Sequence, residues 1–293
     1  MTSHLTADPV DERTDAPGGP EEPEAARRRS RWKVVGIVAA AVLVVLAAAV
    51  AWFFLGREEA EQVSADQLLD EFRSNGGAAS SEGDGRPAPG VYEATASGTE
   101  SIGLPGFDEE LGPNAPVTLT HGADGCFTYR ADFNSHHWRS WTYCPSDTAS
   151  FALVGLESWT VRKAPGLDIE SLTTYTCDRP VDLLWDGAAV GDTRDGSCTG
   201  TSDVDEGFTE DSARVEVLEV GSTTVGEEQV DAIRVRVTDT FSGAQTGSEV
   251  GEWWLHAETG LPLRAAIEAS VEGASGSYSE DPTFELATLR PAT

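Results

Sequence analysis

The chain reads as mainly β: an antiparallel sheet that follows a single transmembrane helix. Three observations carry that reading. Val34 to Leu55 is a run of 22 uncharged residues. From Val91 onward, short segments alternate apolar and polar side chains between turns rich in Gly, Ser and Thr, the period of half-buried strands. All four cysteines lie beyond the apolar run, as suits disulfides in an oxidising compartment.

Residues 1–33 are rich in Pro, Glu and Asp with few large apolar groups, and are expected to be a disordered cytoplasmic segment. As a helix rising about 1.5 Å per residue, Val34 to Leu55 spans roughly 33 Å, enough for a hydrocarbon core of about 30 Å. Arg27, Arg28, Arg29, Arg31 and Lys33 precede it, while Glu58, Glu59 and Glu61 follow. The positive-inside bias then keeps the N-terminus cytoplasmic and the rest of the chain extracytoplasmic, in a cell-envelope setting. A cleaved signal peptide is the competing reading, with Ala49-Val50-Ala51 as a small-x-small site. An apolar stretch longer than about 15 residues that runs through Trp52, Phe53 and Phe54 favours a retained anchor.

Residues 56–90 read as a short helix and a flexible linker. Ala65 to Arg73 places Leu68, Leu69 and Phe72 on one side of about two helical turns, and Asn75 to Gly90 is rich in Gly, Ser and Pro. Residues 91–293 form the expected β domain, long enough for one substantial core.

Within it, Phe127, Tyr129, Ala131 and Phe133 alternate with Thr128, Arg130 and Asp132, and His137 to Cys144 reads as the return strand. The preferred disulfides are Cys126 with Cys144 and Cys177 with Cys198. If Cys126 faces Cys144, Phe127 meets Tyr143, Tyr129 meets Trp141 and Phe133 meets His137, leaving Asn134, Ser135 and His136 as a three-residue loop. One face of this hairpin is aromatic and the other carries the disulfide. Further on, Ala213 to Val220, Glu228 to Phe241, Ser248 to Ala257, Leu261 to Val271 and Tyr278 to Leu289 are joined by short turns and should be antiparallel neighbours.

Several function classes are excluded or weakened. Seven of the 50 acidic residues precede residue 34, so 43 face 14 Lys plus Arg beyond it, a net charge of about −29. Nucleic acid is no partner for such a surface. No C-x-x-C or C-x-x-H occurs, His136 and His137 should point to opposite faces, and no metal or other cofactor is expected. Asp203-Val-Asp205-Glu-Gly207, with Glu210 and Asp211, lacks the third early ligand and the closing carboxylate of a calcium loop, and reads as a solvated acidic loop. Gly196-Ser-Cys198-Thr-Gly200 has the form of a nucleophile elbow, but no buried strand leads into it and a disulfide is the expected fate of Cys198. Only His256 lies downstream as a base. No enzyme is expected.

Trp253-Trp-Leu-His-Ala-Glu-Thr-Gly-Leu-Pro-Leu-Arg264 resembles a hairpin of half-barrel proteins of the bacterial envelope, of the lipoprotein-carrier, LppX and RseB type. Pro89-Gly-Val-Tyr-Glu-Ala-Thr-Ala-Ser-Gly-Thr-Glu-Ser-Ile102, Gly125-Cys-Phe-Thr-Tyr-Arg130 and Trp141-Thr-Tyr-Cys144 look similar to singly anchored actinobacterial envelope proteins, a resemblance that brings no activity with it. The first resemblance implies a curved half-barrel and a lipidic or other apolar ligand in its concavity, with Phe127, Tyr129, Phe133, Trp141 and Tyr143 as ligand-binding residues. The retained anchor, two disulfides and strong acidity depart from the carriers. A protein-interaction or sensory ectodomain with an envelope protein partner is the alternative, and an unrecognised hydrolase a third.

Overall fold

The computed structural model describes residues 24–77, 85–104 and 106–293 and divides the chain into two compact units, up to Leu55 and from Gly56. The first holds α1 (Glu24–Leu55), in which Val35–Phe53 is apolar, unburied and long enough to cross a membrane. The helix starts at Glu24 rather than at Val34, so the disorder expected for residues 1–33 does not hold for 24–33. Glu, Ala and Arg there are good helix formers and carry the helix of the apolar run backwards. Residues 1–23 lie outside the described residues.

The second unit opens with α2 (Ala65–Ser74). Ser64 caps it, its side chain accepting from the Gln67 N–H, and Leu68 and Phe72 bury one face against Val63 and Val91. The stretch before it is also docked: the Glu58 N–H donates to Lys163 O at 3.1 Å and the Ser135 N–H to Glu61 O at 2.8 Å. The folded unit therefore begins directly after α1. Of the expected tether at 75–90, residues 78–84 lie outside the described residues, and Arg86 already donates to Cys126 O at 3.1 Å.

Sixteen strands follow among the described residues. The short ones are β1 (Gly90–Tyr92), β2 (Ala94–Ser97), β3 (Thr99–Ser101), β4 (Glu109–Glu110) and β5 (Val117–His121). The central ones are β6 (Phe127–Asn134), β7 (His137–Cys144), β8 (Phe151–Ala164), β9 (Leu167–Leu184) and β10 (Thr193–Ser202). The last are β11 (Thr209–Val225), β12 (Glu228–Gly243), β13 (Gln245–His256), β14 (Pro262–Gly273), β15 (Gly276–Glu280) and β16 (Thr283–Leu286). From β5 to β15 each strand pairs antiparallel with the next, as short connections dictate. β1 extends the sheet beyond β5, β3 and β4 extend it beyond β15, and β16 joins β14 to β2.

The sheet is not closed, yet its two ends come together. β1 and β2 lie on opposite ends and are separated only by Glu93, while Val91 and Ala292 exchange two backbone hydrogen bonds of 2.9 Å. Bulges in β8, β9, β11 and β14 supply local bending.

Both disulfides join the expected cysteines: Cys177 and Cys198 pair across β9 and β10, and Cys126, one residue before β6, joins Cys144 at the end of β7. Phe127 pairs with Tyr143 and Tyr129 with Trp141, but the hairpin tip differs from expectation. Asn134, not Phe133, pairs with His137, leaving only Ser135 and His136 as the loop. A bulge between Asp132 and Asn134 absorbs the extra residue and keeps the cysteines in register with a two-residue turn. The last expected strand is two. Asp281-Pro282 interrupts it, and β15 pairs with β14 and β3 while β16 pairs with β14 and β2. In the β13–β14 turn Gly260 has φ +69°, and a Cβ there would meet the Phe151 ring at 2.3 Å. Only glycine fits that corner.

The inner face of the sheet has two halves. Val215 and Val217 of β11, Ile233, Val235 and Val237 of β12, Trp253 and Leu255 of β13 and Leu263, Ala265 and Ile267 of β14 are buried in one core with the aromatic face of β6 and β7. Trp141 meets Trp253 edge-on at 5.1 Å, and Phe284 of β16 stacks on Tyr129 at 6.1 Å. In the other half the same strand phases carry polar and charged residues around a cavity.

Candidate functional site

The cavity encloses about 210 Å³ between the inner faces of β8 to β15 and the 203–205 segment. Its apolar lining includes Leu153, Leu156, Ile169, Phe241, Ala269 and Val271, and Leu104 and Val204 stand at its rim, 43 and 38% exposed. About 150 Å³ suffices for an apolar cavity to take benzene, so this one has room for a ring or a short chain.

A ladder of buried charges forms one wall. Arg139 of β7 reaches Glu249 of β13 at 2.9 Å and also pairs with Glu280 of β15, which accepts from the Tyr278 hydroxyl at 2.9 Å. His137 lies 3.5 Å from Glu280 and 3.1 Å from Glu100 of β3. Glu100 meets Arg162 of β8 at 2.7 Å, Arg162 meets Glu109 of β4 at 3.3 Å, and Glu109 meets His136 at 3.1 Å. The ladder ties β3, β4 and β15 to β7 and β8 although these strands share no backbone ladder.

Charges so deep hold only because each has a partner. Burial opposes the ionised form of Glu100, but His137 and Arg162 outweigh it and lower its carboxyl to about 2. Burial likewise works against a charged His137, and Glu100 and Glu280 together overcome it and raise its pKa. Burial raises Glu249, opposed by Arg139 and reinforced by Glu280.

Next to this wall lie two carboxyls outside the ladder. Asp239 pairs directly with Glu249 across β12 and β13, and Asp211 on β11 is the diagonal neighbour of Asp239. Burial and then Glu249 push Asp211 up to about 7. Burial, Asp211 and Glu249 raise Asp239 further than Arg139 can lower it. The acidic loop expected at Asp203 to Gly207 is a clamp as well. Asp203 accepts from the Leu172 N–H at 2.8 Å, and Asp205, 5% exposed, accepts from Gln245 Nε2 at 3.0 Å and the Ser275 N–H at 2.8 Å.

The five aromatic residues singled out from the sequence do not line this cavity. Phe127, Tyr129 and Phe133 are fully buried, Trp141 and Tyr143 are 2% exposed, and all five sit in the core beside it. The open aromatic groove is therefore replaced by a sealed core, because β16 and the β11–β14 side chains cover that face. His136 and His137 are both buried and serve the ladder, and no group of His, Cys, Asp or Glu suited to a metal ion occurs among the described residues. Cys198 is disulfide-bonded within β10, and His256 Nδ1 accepts the Glu258 and Thr259 N–H groups at the turn, each at 3.3 Å.

The sequence did hold a signal for the polar wall. Asp211 keeps phase with Ala213, Val215 and Val217, Asp239 with Ile233, Val235 and Val237, and Glu249 with Gly251, Trp253 and Leu255. A carboxylate on the buried phase of a strand is informative where one on the outer phase is not. Comparisons with protein-family models, with curated proteins and with solved structures give no match for this chain.

Proposed function

We propose that the chain is a non-enzymatic, single-pass envelope protein whose extracytoplasmic β unit holds a small apolar or lipidic ligand in the cavity between β8 and β15. The observation that carries this reading is the cavity itself, a space of about 210 Å³ with apolar walls beside its charged one, on the inner face of a sheet whose remaining inner face is a buried core. Apolar Leu104 and Val204 at the rim suit entry of such a ligand. The basic cluster before α1 and the acidic residues after it support an inside N-terminus, and two disulfides support an oxidising compartment for the β unit.

Native mass spectrometry of the full chain released from lipid nanodiscs tests the reading. Ala269 is 4% exposed and lines the cavity, so Ala269→Phe fills the space. A co-purifying small-molecule adduct on the wild-type chain that disappears in Ala269→Phe supports the proposal. A wild-type chain with no adduct, or an adduct indifferent to the substitution, counts against it.

A further inference from the structure

We propose that the cavity takes an organic cation, an ammonium head on an apolar body, with Asp211 and Asp239 as its counter-ions; this rests on the cavity being a ligand site, as argued above. Every carboxylate of the ladder touches an Arg or a His: Glu249 and Glu280 touch Arg139, Glu280 and Glu100 touch His137, and Glu100 and Glu109 touch Arg162. Asp211 and Asp239 have no such contact among the described residues. Asp211 is 8% exposed, lines the cavity, and its Oδ1 has no hydrogen-bond partner. A buried carboxylate oxygen without a partner is costly, and β11 holds one at Asp211, with the half-buried Asp239 diagonal to it on β12, both on the phase that elsewhere carries Val and Ile.

The deficit in this wall is one of positive charge. Arg139 is the cation that acts on Asp239, and it is already shared by Glu249 and Glu280. A ligand cation would complete the pattern that the ladder sets, with its apolar part lying along Leu156, Phe241 and Val271. An anionic ligand would meet Glu249, Glu280, Asp205, Asp211 and Asp239 on the lining, against Arg139 and Arg162, both already engaged.

The titratable and charged groups that line the cavity with Asp211 and Asp239 are Tyr175 of β9, Glu249 of β13, Tyr278 and Glu280 of β15, Arg139 of β7, Arg162 of β8 and Asp205. Burial and Glu249 push Asp211 up to about 7, and burial and Asp211 raise Asp239, so a bound cation must displace protons that these carboxyls hold more tightly than ordinary aspartates do. Its affinity then rises with pH from about 5.5 to 8.

Isothermal titration of the full chain in nanodiscs can test this with three probes that share one apolar body: hexylammonium, 1-hexanol and hexanoate. Empty nanodiscs give the background. The expected result at pH 8 is hexylammonium bound at least about tenfold more tightly than 1-hexanol, with hexanoate weakest. That preference should shrink at pH 5.5 and in Asp211→Asn and Asp239→Asn, while 1-hexanol binding persists in both variants. Equal binding of hexylammonium and 1-hexanol, or a preference unchanged by either variant, overturns the cation and leaves the apolar site standing. Absence of binding by all three overturns both. Vesicles containing phosphatidylethanolamine, added in a separate titration, show whether the ammonium of a lipid headgroup competes with hexylammonium.

Discussion

Asp211→Asn should make the folded unit more stable, and the gain should depend on pH in one direction. The carboxyl is 8% exposed and its Oδ1 is without a hydrogen-bond partner; burial, with Glu249 as the second cause, pushes it up to about 7 from an ordinary 3.8. A pKa raised on folding contributes stability that is fully present below the unfolded value and lost as pH rises through the folded one. Below about pH 4 the wild-type carboxyl is neutral in both states and behaves much as the amide does. Between about 4 and 7 the unfolded chain ionises while the folded one resists. A difference of about three pH units, at about 1.4 kcal/mol each, is on the order of 4 kcal/mol above pH 7. Urea denaturation of the unit from Gly56, disulfides intact, at pH 4.5, 6 and 8 reads the effect. The variant's advantage should widen by several kcal/mol from the lowest pH to the highest. An equal difference at every pH, or a variant less stable at pH 8, would show that Asp211 is well paired and refute the reasoning.

Other consequences follow from the same contacts. Arg139→Met leaves Glu249 and Glu280 buried without their cation and should cost about 3 to 5 kcal/mol in urea denaturation, with part of the loss recovered when both glutamates become Gln. Trp141→Ala removes a ring packed against Trp253, Tyr129 and Phe284 and should cost about 3 to 5 kcal/mol, with both disulfides still found by peptide mapping. Glu100 is lowered to about 2, so its contribution is complete above about 4.5 and is lost as pH falls towards 2; Glu100→Gln should flatten the acid limb of a stability–pH curve in that window.

How much the sequence disclosed depended on the range of the interactions. The aromatic hairpin, both disulfides and the meander from β11 to β14 rest on local alternation and short turns, so they could be read residue by residue. The hairpin tip could not, because a bulge and a two-residue loop satisfy the same cysteine register as a three-residue loop. The division at Asp281-Pro282 escaped because β15 and β16 choose partners, β3 and β2, that lie about 180 residues earlier. The ladder was hidden for a similar reason: Glu280 meets Arg139, and Glu100 meets His137 and Arg162, only after the sheet curls, and in so acidic a chain each carboxylate looked like surface charge. The aromatic residues were placed correctly on one face, but periodicity does not tell a groove from a core. What separates them is β16 and its Phe284, laid over that face from the far end of the chain.

The most direct test of the ligand cavity is a crystal structure of the unit from Gly56 grown at pH 8 with hexylammonium. The expected density places the nitrogen about 3 Å from carboxylate oxygens of Asp211 and Asp239, with the alkyl chain against Leu156, Phe241 and Val271. A cavity collapsed onto its own side chains, or one filled only by water hydrogen-bonded to those two carboxyls, would contradict it.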